Sequence, residues 1–176
     1  MNNKTRDMVM TAIMAAVMCV LGPLSIPIGP VPISLTNFAI YIALYVLGTK
    51  RGTMALLIYL LIGLAGVPVF SGFTSGPAKL AGPTGGYLIG FLPMAFLAGL
   101  FIDRFHENYA ISVVGMFLAT LIPYGVGSLW LAHSAGMSFG QAIAAGVTPF
   151  IAEDLVKMVL AAVIGPVLKK RLTMAL

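Results

Sequence analysis

The sequence predicts an all-α membrane protein of six transmembrane helices, with both termini cytoplasmic and a long ordered external loop between the third and fourth helices. Three observations carry this prediction. The 176 residues are 60% hydrophobic and 9% charged, with a mean hydropathy of +1.04, whereas a soluble domain is about 25% charged. Lipid is the solvent that suits so apolar a surface. The apolar runs approach the roughly 20 residues that a helix needs to cross a bilayer. Basic residues concentrate in the short connections of one side. Six such helices use nearly the whole chain, so residues 1–176 read as a single integral-membrane domain with no room for a soluble enzyme module.

The first helix is expected over residues 8–22. Lys4 and Arg6 precede it, as in a signal peptide, but no small-residue cleavage site follows and five more apolar segments do. A segment rich in Pro and Gly, 23–32, ends it. The second helix covers 33–49 and stops at Lys50-Arg51-Gly52, and the third covers 53–67 before Pro68. Residues 68–85 form the long loop. Phe70, Phe73 and Leu80 stand between its turns, so it reads as a folded cap, since a flexible linker holds few such residues. The fourth helix covers 86–102 before Asp103-Arg104, the fifth 109–131, and the sixth 147–168, closed by Lys169-Lys170-Arg171. No tandem or inverted repeat stands out, which weakens the reading of a self-sufficient secondary transporter.

Charge fixes the orientation. With the N-terminus inside, Lys4, Arg6, Lys50, Arg51, Arg104, Lys169, Lys170 and Arg171 are all cytoplasmic, and Lys79 alone falls in an external loop. The positive-inside rule accounts for this bias and for the net charge of +5 and pI of about 9.6, so no nucleic-acid partner is needed. The single cysteine, Cys19, excludes an internal disulfide and a Cys-based metal cluster. It lies within the first helix, where packing is its role. His106, in a cytoplasmic connection, and His133, at the outer end of the fifth helix, are too separated for a metal site.

The strongest site signal is Glu153-Asp154-Leu155-Val156-Lys157 in the sixth helix. An ionisable residue costs about 2.5–3.5 kcal/mol at a helix centre on insertion scales and marks a functional site by default. Asp154 and Lys157, three apart, share a face; so do Glu153 and Lys157, four apart. An internal ion pair is the bland alternative. On the second helix Asn37 and Tyr41 share a face, with Ser34 and Thr36 nearby, and an amide reads a urea or amide group by donating and accepting. Gly82-Pro83-Thr84-Gly85-Gly86-Tyr87 leads into the fourth helix, where glycine permits close backbone approach. Thr84, Gly86 and Tyr87 are therefore candidates, with Phe73 of the loop. Lys79 reads as a solvated loop residue. Ala12-x-x-x-Ala16 on the first helix is a small-xxx-small pattern suited to a close partner helix. There is no phosphate-binding G-x-x-x-x-G-K-[ST] loop and no H-E-x-x-H motif. Gly125-Val126-Gly127-Ser128 has no evident paired base, so no enzymatic activity is expected.

Four motifs in this order resemble the BioY family, the biotin-specific S components of energy-coupling factor (ECF) vitamin transporters. They are Gly29-Pro30-Val31-Pro32-Ile33-Ser34-Leu35-Thr36-Asn37, Gly63-Leu64-Ala65-Gly66-Val67-Pro68-Val69-Phe70, Gly82-Pro83-Thr84-Gly85-Gly86-Tyr87 and Asp154-Leu155-Val156-Lys157. The resemblance spans essentially the full length. It implies high-affinity biotin binding from the outer side, with Asp154 and Lys157 contacting the ligand and Asn37 and Tyr87 lining its pocket. Biotin is then the transported ligand, and no cofactor is implied. The resemblance also implies a transmembrane coupling subunit meeting the Ala12/Ala16 face, two ATP-binding cassette ATPases, and a place in the cell membrane of a prokaryote. In that frame Asp154 and Asn37 suit the ureido group, Lys157 an anion, and Phe70, Phe73 and Tyr87 the apolar ring and chain. The competing readings are an S component for another vitamin and a self-contained proton-coupled carrier relaying through Glu153, Asp154 and Lys157.

Overall fold

The structure, a computed structural model, describes residues 3–105 and 107–175; His106 lies outside them. Its elements in order are α1 (Asn3–Leu21), β1 (Ser25–Ile26), β2 (Ile33–Ser34), α2 (Thr36–Leu64), α3 (Gly76–Ala81), α4 (Gly85–Phe105), α5 (Tyr109–Ala135), α6 (Phe139–Gly146) and α7 (Phe150–Ala175). The runs α2, α4 and α5 are long and apolar enough to cross a membrane by length and composition. α1 and α7, of 19 and 26 residues, carry charged residues at the ends and, in α7, within the body.

The second and third expected helices form one helical run, α2, broken at Gly48 (φ 76°, ψ 176°). That backbone region is essentially restricted to glycine. The break reverses the chain. Just after it, Arg51 pairs with Asp7 at the start of α1 at 2.7 Å. Further on, Tyr59 packs on Gly22, just past the end of α1. The other limb begins at β2, which pairs antiparallel with β1, also just past α1, in the register Ser25↔Ser34 and Ile26↔Ile33. Both distal ends of the α2 hairpin therefore lie at the far end of α1. Asp103 of α4 fixes the turn: its Oδ2 accepts from the Thr49 backbone N–H at 2.9 Å and from Thr49 Oγ1 at 2.6 Å. It acts as an N-cap supplied from another helix.

The segment between α2 and α4 holds more regular structure than the sequence suggested, namely the short helix α3 and a Phe70↔Thr74 bridge. Phe70, expected over the ligand, is fully buried instead. Its ring fills the space left by Gly63, where a Cβ would sit 2.2 Å from Cζ, and meets Tyr59 edge-on at 5.6 Å. Trp130 Nε1 donates to the Gly82 carbonyl at 3.0 Å and ties the loop to α5. The connection between α5 and α7 contains a helix the sequence reading missed, α6, opened by a Ser138–Gln141 capping box.

α4 packs most extensively on α5 and then on α2, while α7 packs on α2 and α5. The core is built from Met18, Tyr41, Leu44, Tyr45, Leu56, Tyr59, Met94, Ile102 and Met116. Large apolar side chains also cover the outer surface: Val20, Leu129 and Val156 are 68%, 62% and 59% exposed. A soluble protein rarely exposes so extensive an apolar surface; a multi-pass membrane protein presents it to lipid. Ala12 and Ala16 are exposed on α1.

Gly48→Ala should destabilise the protein by about 1–3 kcal/mol, because any Cβ is strained in this backbone region and would stand 3.2 Å from Asp103 Oδ1. The thermal unfolding midpoint in detergent should fall. An unchanged midpoint would show that the reversal tolerates a side chain.

Candidate functional site

The start of the first α2 limb, the middle of α5 and the start of α7 meet at one end of the bundle. This places Asn37, Tyr124, Glu153, Asp154 and Lys157 around a common point. Asp154 and Lys157 are 5% and 8% exposed, so each charge depends on the partners that the fold supplies. Asp154 Oδ1 accepts from Asn37 Nδ2, and Oδ2 accepts from the Tyr124 hydroxyl at 2.6 Å. Lys157 Nζ donates to the Ser34 carbonyl at 2.6 Å and to Asn37 Oδ1 at 3.0 Å. It pairs with Glu153 Oε2 at 2.5 Å, and Asp154 Oδ1 lies 3.5 Å away. Asn37 is thus the hinge of the cluster, with its amide donating to the carboxylate and its carbonyl accepting from the ammonium.

An ionised carboxylate accepts about four hydrogen bonds and an ammonium donates three. Lys157 has three short acceptors, so its hydrogens are all engaged. Asn37 and Tyr124 occupy two acceptor positions of Asp154, which leaves capacity for further N–H donors. Two carboxylates face one ammonium, so the cluster favours ligand donors over a second anion unless an acceptor on Lys157 is displaced.

These groups line a cavity of about 70 Å³. Ser34, Thr36, Ser71 and Thr84 add polar lining, and Val31, Leu88, Phe91, Pro123 and Phe150 supply an apolar wall. Tyr87 lines it as well. Its ring is wedged against two glycines: a Cβ on Gly127 would stand 2.3 Å from Cδ1, and one on Gly146 would stand 2.0 Å from the hydroxyl oxygen.

Of the residues singled out from sequence, Asp154, Lys157, Asn37, Thr84 and Tyr87 share the cavity wall. Three others do not. Tyr41 is fully buried one layer beneath, with its hydroxyl 2.6 Å from Oγ1 of Thr120, which does line the cavity. Gly86 sits against Trp130, where a Cβ would come within 2.4 Å of the tryptophan Cβ, so its smallness serves the packing of α4 on α5. Phe73 is 65% exposed with φ 58° and does not line the cavity. Lys79 stands on α3 outside the cavity, and partial burial lowers its pKa from the ordinary lysine value. Ser128 is fully buried with Tyr87 as its neighbour, the two hydroxyls 3.5 Å apart.

Sequence reasoning missed Tyr124, Phe150 and Val31. Tyr124 carried a signal, because a tyrosine in the middle of an apolar run is away from the interface where tyrosines gather. Its hydroxyl then needs a buried partner. Val31 and Phe150 carried none, since apolar residues there suit any packed surface.

Comparison with known proteins points to one family. The sequence pattern of the BioY family matches residues 1–174. The chain is 40% identical over 162 residues to the probable biotin transporter BioY of Pyrococcus horikoshii, covering 92% of this chain and 95% of that one. It is 39% identical over 173 residues to the biotin transporter BioY of Thermotoga maritima, covering 94% and 96%. A crystal structure of the S-component for biotin from an ECF-type ABC transporter superposes with a TM-score of 0.87 at 34% identity, covering 97% of this chain and 95% of that one.

Lys157→Met leaves two clustered carboxylates without their ammonium. It should destabilise the protein by about 3–5 kcal/mol, seen as a lower unfolding midpoint in detergent. Adding Glu153→Gln should recover part of the loss by removing one uncompensated charge. A single variant as stable as the parent would mean that Lys157 does not balance this cluster.

Proposed function

The chain belongs to the BioY family, and we propose that it binds biotin with high affinity in the cavity between α2, α4, α5 and α7. It is the substrate-capture subunit for biotin uptake by an ECF-type ABC transporter and is not an enzyme. The observation that carries the site assignment is the convergence of Asp154, Asn37 and Lys157 in the wall of an otherwise half-apolar cavity.

Biotin offers two ureido N–H donors, a ureido carbonyl, an apolar bicyclic ring and a carboxylate-tipped chain. Asp154 retains acceptor capacity for the ureido N–H groups. Asn37 and Tyr124 orient that carboxylate by hydrogen bonds. Val31, Leu88, Phe91, Tyr87 and Phe150 suit the ring and chain. Lys157 reaches a ligand anion or carbonyl by exchanging one of its present acceptors, and Glu153 is the one on a flexible side chain. Small-molecule sites usually measure about 300–1,000 Å³, so the 70 Å³ cavity widens as the ligand enters.

The subunit crosses the membrane six times, with the two limbs of α2 counted separately, and has both termini in the cytoplasm. Support comes from Arg6, Arg51 and Lys169, which gather at the end opposite the cavity, as the positive-inside rule requires of a cytoplasmic face. The cavity and the loop of residues 65–84 then face outwards. The prokaryotic sources of the relatives support a place in the cell membrane. With no phosphate-binding loop in the chain, energy for uptake comes from two ABC ATPases through a transmembrane coupling subunit. The exposed Ala12 and Ala16 of α1 form a smooth surface on which a helix of that subunit can approach closely.

Isothermal titration of the purified, detergent-solubilised protein with biotin tests the assignment. The parent should bind tightly with no turnover. Asp154→Asn should weaken binding by about a hundredfold, the scale of a lost charge-assisted hydrogen bond, and Tyr124→Phe by roughly tenfold. Absence of binding by the folded parent would remove biotin as the ligand. Parent-like affinity in both variants would place the site elsewhere.

A further inference from the structure

The end of the bundle opposite the ligand cavity holds a second concavity, of about 490 Å³, between the first turns of α1, the Gly48 turn and the end of α7. Arg6, Asp7, Arg51 and Lys169 line it together with apolar side chains such as Leu47 and Leu172. Three cationic side chains thus arrive from three separate elements, with the Asp7 carboxylate lining the same space. Asp7 pairs with Arg51 at 2.7 Å, but the two side chains are 38% and 51% exposed. A pair so wet is weakly held and readily shared with another anion. Asp103, which packs on Gly48, is held by two hydrogen bonds from Thr49 and does not line the space.

The lining is mixed in a way that describes its occupant. Guanidinium groups match a phosphate through parallel N–H donors, and the apolar residues suit a hydrocarbon-bearing ester better than a fully hydrated ion. The volume falls within the usual range for small-molecule sites, about 300–1,000 Å³. The helices α1 and α7 that form its walls expose apolar residues along their length, so the concavity stands where the apolar surface of the bundle gives way to its basic end. That is the depth of the headgroups, where basic pockets between transmembrane helices hold anionic lipids. We propose that this concavity binds a phosphate ester anion, supplied by the headgroup of an anionic phospholipid of the surrounding leaflet. The lipid holds the start of α1, the α2 turn and the end of α7 together, adding to the Asp7–Arg51 pair. None of these residues lines the ligand cavity, so the two sites are chemically independent.

Native mass spectrometry of the detergent-purified protein tests this with three probes: dioleoyl phosphatidylglycerol, dioleoyl phosphatidylcholine and glycerol 3-phosphate. The parent should retain one phosphatidylglycerol in preference to phosphatidylcholine. The double variant Arg6→Gln/Lys169→Gln should hold it about tenfold more weakly, while binding biotin like the parent, which shows that it is folded. Equal retention of the two lipids, or parent-like retention by the variant, overturns the site. Retention of glycerol 3-phosphate as tight as that of phosphatidylglycerol assigns the concavity to a soluble phosphate ester and overturns the lipid source. Loss of co-purification with a coupling subunit, with lipid retention unchanged in the variant, overturns the proposal in favour of a protein contact.

Discussion

The buried ammonium of Lys157 is the constraint on which the rest of this fold depends. An isolated charge in an apolar interior costs several kcal/mol even after relaxation, and the bundle meets that cost with acceptors drawn from two directions. Glu153 and Asp154 come from the same helix, whereas Ser34 and Asn37 come from the far side of the bundle. The last two can be in place only if the strand pair β1–β2 delivers Ser34 to the ammonium and α2 starts immediately after it. The short two-stranded ribbon, easily dismissed as a turn, therefore sets the position of the whole charged cluster.

The chain reverses within α2 through a single glycine and a carboxylate from another helix. Gly48 supplies the backbone conformation, and Asp103 satisfies the free N–H at the start of the second limb. A helix terminus leaves several N–H groups without partners, and the Asp103 carboxylate takes up that of Thr49. The trans cap keeps the turn tight and anchors α4 against α2. Through that anchoring, Tyr87 at the opposite end of α4 comes to rest against Gly127 and Gly146, so geometry at one end of the bundle bears on the cavity at the other.

The two ends differ in the kind of charge they carry and in how it is compensated. At the cavity end the charges are few, buried and almost fully hydrogen-bonded. At the basic end they are numerous and half-exposed, and the Asp7–Arg51 pair there is wet. Buried and satisfied groups discriminate between ligands because an unmatched partner leaves them unpaired. Exposed cations attract any anion, with a strength that salt screens. The two ends of the bundle thus differ in how firmly their charges are committed to partners within the protein.

The sequence by itself determined the solvent, the helical class and the most important charged residues. Composition and run length are properties of a lipid-facing surface that no tertiary contact can alter, and the cost of Glu153, Asp154 and Lys157 in an apolar helix is visible wherever that helix lies. The four motifs also carried the family, with Asn37, Thr84 and Tyr87 among the residues that the structure brings to the cavity. Only the tertiary structure decided which neighbours of these residues face inwards. Tyr41 and Asn37 share a helical face, yet one is sealed under Thr120 and the other holds the charged pair, because the cavity ends within a single turn. Phe70 and Phe73 look alike in a loop sequence, but Gly63 opens a slot for the first and nothing covers the second. Tyr124 reaches Asp154 across the bundle over 30 residues of chain, and no local periodicity records a contact between helices. The basic concavity arises in the same way, since Arg6, Arg51 and Lys169 are far apart in sequence and become one site only when the α2 reversal and the end of α7 bring them to α1.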